Sequence, residues 1–223
     1  MKRVLDVLGT LVDQPSGLRA AIRDAVPGSD DAYVDDLLTV WCHHVEGEQQ
    51  RMIRGDRAYA NTDVLDREAA QRVIEHAGLT DPTTVAELAT AGQRLPPWAD
   101  SAAALDRLMK RLPVIGLSNA SPTALLRLNA HAGLRWHQAL SSEAVLAYKP
   151  APEVYQLAID TAGCPPDRVL MVAAHAWDLR GAQARGMRTA YIQRPVGDPP
   201  TDSDDFDWRL DGLEELVTEL TAR

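Results

Sequence analysis

Asp6 ends a short apolar run, Val4 and Leu5, and is followed within four residues by Gly9 and Thr10. A carboxylate at a strand tip, ahead of a turn and a hydroxyl, is placed to attack as a nucleophile. Three more polar groups stand at comparable points of the chain: Ser118 with Asn119, then Lys149, then His175 with Asp178. Together they supply what covalent catalysis by a carboxylate needs: a nearby cation, hydrogen-bond donors for a substrate, and a means of activating water for the second step.

The apolar runs define the scaffold that must position these groups. Strand-type runs recur at Val4 to Leu8, Val114 to Leu117, Val169 to Ala173 and Thr189 to Ile192, and each of the last three follows a helical pattern. Strands alternating with helices predict an α/β fold, a Rossmann-like, doubly wound parallel sheet. Ligands of such sheets bind beyond the carboxyl ends of the strands, so the polar groups are expected on one rim.

Residues 16–95 interrupt this rhythm. They read as helical throughout, with Leu37, Leu38, Trp41 and Val45, then Val64, Ala69, Val73 and Ala77, at helical spacing. An all-helical insertion after the first strand predicts a cap domain at 16–95 over a catalytic core made of 1–15 and 96–223. The Pro96-Pro97 pair marks the return to the core, and Ser101 to Leu112 reads as the next helix. Residues 197–207, rich in Asp and Pro, predict a surface loop before a short strand at Trp208 to Leu210 and a terminal helix at Leu213 to Leu220.

Composition narrows the function. The 223 residues carry a formal charge of -9 and no long basic run, so nucleic acid is not an expected partner. No stretch approaches the roughly 20 apolar residues that cross a bilayer, and no signal sequence is read at the start, so the expectation is a cytoplasmic protein without a membrane partner. The two cysteines, Cys42 and Cys164, lack metal-ligand spacing and are read as free thiols.

The runs Asp6-Val7-Leu8-Gly9-Thr10, Leu117-Ser118-Asn119-Ala120-Ser121-Pro122, Tyr148-Lys149-Pro150-Ala151-Pro152-Glu153-Val154-Tyr155 and His175-Ala176-Trp177-Asp178 resemble, in order and spacing, the four motifs of the haloacid dehalogenase superfamily. The closest likeness is to the L-2-haloacid dehalogenases. That resemblance implies hydrolytic dehalogenation of small (S)-2-haloacids to 2-hydroxy acids, with Asp6 attacking the α-carbon and forming an ester that water later opens. It assigns Thr10 and Lys149 to holding the Asp6 carboxylate and Asp178 to orienting Lys149 and the water. It further assigns Ser118 to the substrate carboxylate, Asn119 to the halide and Tyr155 to a site-lining hydroxyl; Leu8, Trp177, Trp41 and His43 are the other candidates for the binding site. A homodimer is the assembly it suggests.

The same resemblance allows a test for metal. Phosphatases of the superfamily carry a second Asp two residues past the nucleophile and acidic residues in the fourth motif; here those places hold Leu8 and Ala174. With only Asp178 left beside Asp6 and Lys149 nearby, a hard divalent cation finds too few oxygen ligands. The expectation is chemistry without metal or cofactor, and phosphatase activity is disfavoured.

Departures from the dehalogenase pattern also stand out. The relatives' cap Arg that follows a Trp and receives the halide is replaced here by Cys42 after Trp41. Their Tyr two residues past the nucleophile is Leu8, their Ser in the fourth motif is Ala173, and their Asn is His175. Arg51, Arg54 and Arg57, or a protonated His43 or His44, are the replacement donors considered, and His175 beside Asp178 is the expected base for opening the ester. Another small substrate, or a non-catalytic binding protein of the same fold, is the alternative these changes raise.

Simpler structural roles compete at each position. Ser118 and Asn119 suit a helix N-terminus ahead of Pro122, Tyr155 suits helix packing, and Trp41 suits the interior of the cap. Lys149 suits a solvated surface, although Pro150 and Pro152 restrict its backbone.

Overall fold

The structure, a computed structural model, describes residues 2–221. Six parallel strands form one sheet: β1 (Lys2–Asp6), β2 (Val114–Ser118), β3 (Gln138–Ser141), β4 (Val169–Ala173), β5 (Arg188–Ile192) and β6 (Trp208–Leu210), in the order β3-β2-β1-β4-β5-β6. The chain winds outward from β1 through β2 to β3, then crosses to β4 on the other flank of β1. The reversal leaves a crevice beyond the carboxyl ends of β1 and β4, where Asp6 and the residues after Ala173 lie.

Four helices separate β1 from the rest of the core: α1 (Gln14–Ala25), α2 (Asp31–Ile53), α3 (Thr62–His76) and α4 (Pro82–Leu88). Each begins on a residue suited to cap it: the side chains of Asp13, Asp30, Asn61 and Asp81 accept from backbone N–H groups of the first turn. The other helices are α5 (Ser101–Met109), α6 (Pro122–Ala132), α7 (Pro152–Ala162), α8 (Ala176–Ala184) and α9 (Leu213–Thr221).

One apolar cluster runs from the sheet into the inserted helices without a break, joining Leu5, Val7 and Leu11 to Val34, Leu37 and Trp41 of α2 and to Ala69, Val73 and Ile74 of α3. Burying one such Leu or Ile stabilises the fold by about 1.5–3 kcal/mol. Polar ties at the start of α3 add direction: Thr62 Oγ1 accepts from Ser121 N at 2.7 Å, Ser121 Oγ donates to Asp63 at 2.9 Å, and the Tyr148 hydroxyl donates to Ala60 O at 2.8 Å.

Several details differ from the sequence reading. Val7 and Leu8 leave β1, which ends at Asp6, because the chain turns there: Leu11 N and Val12 N both donate to Val7 O. The sequence reading has no strand at β3, whose four residues begin with exposed Gln138 and Ala139 and show no apolar run. Ser121, not Ser118 or Asn119, caps α6, its Oγ accepting from Ala124 N at 3.0 Å. Both cysteines are free, as read, and no described helix is long and apolar enough to cross a membrane.

Candidate active site

Asp6 is the last residue of β1, and its carboxylate is held from both sides. Thr10 Oγ1 donates to Oδ2 at 2.6 Å and Lys149 Nζ donates to Oδ1 at 2.8 Å. Lys149 Nζ also donates to Asp178 Oδ2 at 2.8 Å, and the second Asp178 oxygen accepts from the Tyr155 hydroxyl at 2.7 Å. The side chains of Asp6, Lys149 and Asp178 are only 8%, 1% and 0% exposed, so the ammonium and both carboxylates compensate one another out of water.

The turn after β1 is fixed by the rest of the core. Thr10 Oγ1 accepts from Ala174 N at 2.9 Å, Arg194 Nε donates to Thr10 O at 2.9 Å, Trp98 Nε1 donates to Gly9 O at 3.0 Å, and Ser101 Oγ donates to Leu11 O at 2.7 Å. Gly9 has φ +79°, and a Cβ there would lie 2.5 Å from His175 Nε2. Glycine is therefore required twice over, by the backbone and by the close imidazole.

Burial works against the charge of Lys149, but Asp178 and Asp6 outweigh it, and its pKa is held above the ordinary lysine value. Burial raises the Asp178 pKa; the Lys149 charge opposes this and the nearby Asp6 charge adds to it. Burial and the charge of Asp178 push the Tyr155 phenol far up, so it stays a donor. The Tyr155 ring reaches Asp178 only because α8 carries Gly181, where a Cβ would sit 2.5 Å from the hydroxyl.

Over this cluster lies a cavity of about 320 Å³ between the strand ends and the inserted helices. The core contributes Asp6, Leu8, Asn119, Lys149, His175 and Trp177, and α2 contributes a stripe that includes Trp41, Cys42, Val45 and Glu46. Asn119 Oδ1 accepts from Lys149 N at 2.9 Å, which orients its amide nitrogen away from that bond. His175 stacks on Trp177 with ring centroids 5.7 Å apart. Asp198 secures this corner by accepting from Ala176 N through its carbonyl at 2.8 Å and from Trp177 N through its carboxylate at 2.9 Å.

Not every predicted residue is brought to the cavity. Ser118 is buried, its Oγ accepting from Ala120 N at 3.1 Å, and does not line it. Tyr155 stands behind Asp178, in the second row of side chains. His43 is exposed on the outer side of α2, because the stripe of α2 that faces inward includes Trp41, Cys42 and Val45. His175 makes no hydrogen bond to Asp178, both of whose oxygens are occupied by Lys149 and Tyr155.

The replacement cations are also engaged elsewhere. Arg57 donates to Glu48 and Glu68 at 2.6 Å each, Arg51 pairs with Glu48 at 3.1 Å, Arg54 pairs with Asp56 at 3.1 Å, and His44 faces Glu68 at 3.1 Å. Sequence reasoning missed Thr62 and Asp66, which line the cavity from α3. Their i, i+4 spacing placed them on one helix face, but nothing in the letters told which face.

A sheet with its switch point beside a carboxylate-lysine-carboxylate cluster, roofed by inserted helices, defines a hydrolase of the haloacid dehalogenase type. The chain belongs to the haloacid dehalogenase-like hydrolase family, whose sequence model matches residues 4–186. An (S)-2-haloacid dehalogenase of Pseudomonas putida is 32% identical over 86% of this chain and 84% of its own, and one of Xanthobacter autotrophicus is 33% identical over 86% and 74%. The crystal structure of an L-2-haloacid dehalogenase superposes with TM-score 0.89 at 29% identity, covering 100% of this chain and 99% of that one. The Xanthobacter autotrophicus L-2-haloacid dehalogenase with chloropropionic acid covalently bound superposes with TM-score 0.84 at 27% identity, covering 98% and 97%.

Proposed function

We propose that this protein hydrolyses small (S)-2-haloacids to 2-hydroxy acids through an ester on Asp6, with residues 16–95 serving as the cap. The observation that carries this reading is the Asp6 carboxylate, held by Thr10 and Lys149 and opening onto the cavity. The relatives that match most of the chain are dehalogenases of this kind, and one is known with chloropropionic acid covalently bound.

In the first step an Asp6 oxygen bonds to C2 of the acid as the C2–halogen bond breaks, and the electron pair leaves with the halide. Lys149 and Thr10 hold the carboxylate in the attacking geometry, which removes much of the entropic barrier. In the second step water adds to the Asp6 carbonyl carbon and the acyl–oxygen bond breaks, releasing the 2-hydroxy acid and restoring Asp6. His175, at the cavity edge, is the base proposed for that water. Asn119 and the main chain around it are the proposed substrate contacts, with Leu8, Trp41 and Trp177 as walls.

The family's phosphatase members imply magnesium, and the residues here do not fit it. The Lys149 ammonium lies between the two carboxylates that a divalent cation would need, and Leu8 and Ala174 supply no side-chain oxygen.

Incubation with chloro-, bromo- and fluoro-acids in ¹⁸O-water tests the proposal. Halide release with label entering the Asp6 peptide over many turnovers is expected. Failure of every acid to release halide while a ligand still binds overturns it in favour of a binding protein.

A further inference from the structure

The cavity poses an electrostatic problem for the reaction proposed above. Lys149 is the single Lys or Arg among the described residues that line it, and its ammonium already serves Asp6 and Asp178. A departing halide needs hydrogen-bond donors or a cation, because an unpaired anion in a dry site is strongly disfavoured. The nearby arginines of α2 and of the loop that follows it are bound to Glu48, Glu68 and Asp56.

Asp66 stands in the same wall. It shares the inward face of α3 with Thr62, and its carboxyl has no hydrogen-bond partner among the described residues. We propose that Asp66, as a neutral carboxylic acid, is the hydrogen-bond donor of the cap wall that receives the anion, first of all the halide leaving C2. The inference rests on the reaction proposed above. Asp66 keeps its proton throughout: the Asp6–C2 bond forms, the C2–halogen bond breaks, and the halide accepts an O–H hydrogen bond from Asp66.

Its surroundings support the neutral form. Glu46 and Cys42 face the cavity from α2, and Asp6, Lys149 and His175 face it from the core; Asp63 lies one turn earlier on α3, and Tyr148 is close by on the segment before α7. The Lys149 charge is spent on two carboxylates, so the balance around Asp66 is negative. Burial, with the Asp63 charge added, pushes its pKa up to about 8. Ionised Asp66 would repel the anion that the acid form attracts, which makes the site open to anions below that pH and closed above it.

A ¹³C-aspartate NMR titration from pH 5 to 10, with and without sodium bromide, tests this directly, the Asp66 signal being assigned by its loss in D66N or, equivalently, D66S. Asp66 is expected to titrate near neutrality or above, and saturating bromide to raise its apparent pKa by about half a unit or more, since the anion binds the acid form alone. Halide release by the wild type is expected to fall about tenfold per pH unit above the Asp66 pKa, and this limb to vanish in D66N, whose amide still donates. An ordinary carboxylate pKa, a pKa indifferent to bromide, or an alkaline limb unchanged in D66N overturns the inference. Bromide raising the Asp66 pKa in a protein that releases no halide from any haloacid would sustain the inference and refute the proposed reaction.

Discussion

Lys149 Nζ stands 2.8 Å from Asp6 Oδ1, a contact made across 143 residues of chain between side chains only 1% and 8% exposed, at the floor of the cavity. It joins the first strand to the segment before α7. The ammonium offsets the charge of Asp6, and Thr10 and Lys149 each bind one of its carboxylate oxygens.

Replacing Lys149 by Met leaves two buried carboxylates facing each other. The loss is expected to lower stability by about 3–5 kcal/mol and halide release by about 10³-fold or more, read by thermal unfolding and ion chromatography. Because the folded state raises the Lys149 pKa, its contribution is complete below the ordinary lysine pKa and is lost as pH rises through the folded value. The wild type should therefore keep this contribution across neutral pH and lose it only under strongly alkaline conditions, while the gap to K149M also narrows in acid as its two facing carboxylates take up a proton.

Tyr155→Phe removes one donor and no volume. Asp178 Oδ1 is left buried without its 2.7 Å partner, so stability is expected to fall by about 1.5–3 kcal/mol. Turnover is expected to fall more than KM changes, since Tyr155 does not line the cavity. A change confined to KM would contradict this placement.

His175→Ala tests the second chemical step. With the proposed base removed, the Asp6 ester should accumulate and appear by intact-mass spectrometry as an adduct after incubation with a 2-bromo acid. Steady turnover at the wild-type rate, with no adduct, would assign water activation to another group.

Asp66 also couples pH to stability. Its folded pKa, about 8, lies above the unfolded carboxylate value of 3.8, so the folded state binds the proton more tightly and stability declines as pH rises between the two. D66N lacks this decline. Its melting temperature is expected to exceed that of the wild type by roughly 5 °C or more at pH 9 and to match it at pH 4, as measured by calorimetry.

Much of the site was legible because its chemistry and its strand-end positions coincide. Asp6, Asn119, Lys149 and His175 each follow a turn or run that a parallel sheet delivers to one rim, and all four line the cavity. The helical pattern before Thr189 was legible too, but the contacts that fix the start of α8 were not, because Asp198 arrives from a loop more than twenty residues later. β3 escaped notice because an edge strand of four residues carries too short a pattern to stand out from a loop.

The letters alone determined the α/β alternation, the helical insertion and the order of the polar groups, since strand and helix periodicities and turn residues are local properties. Which oxygen Lys149 takes, that Tyr155 stands behind Asp178, that His43 faces outward and that Asp66 faces in were decided only by tertiary packing. These depend on how helices rotate to bury a continuous apolar face against the sheet, and a rotation of one residue, about 100°, turns a cavity wall into a solvated surface.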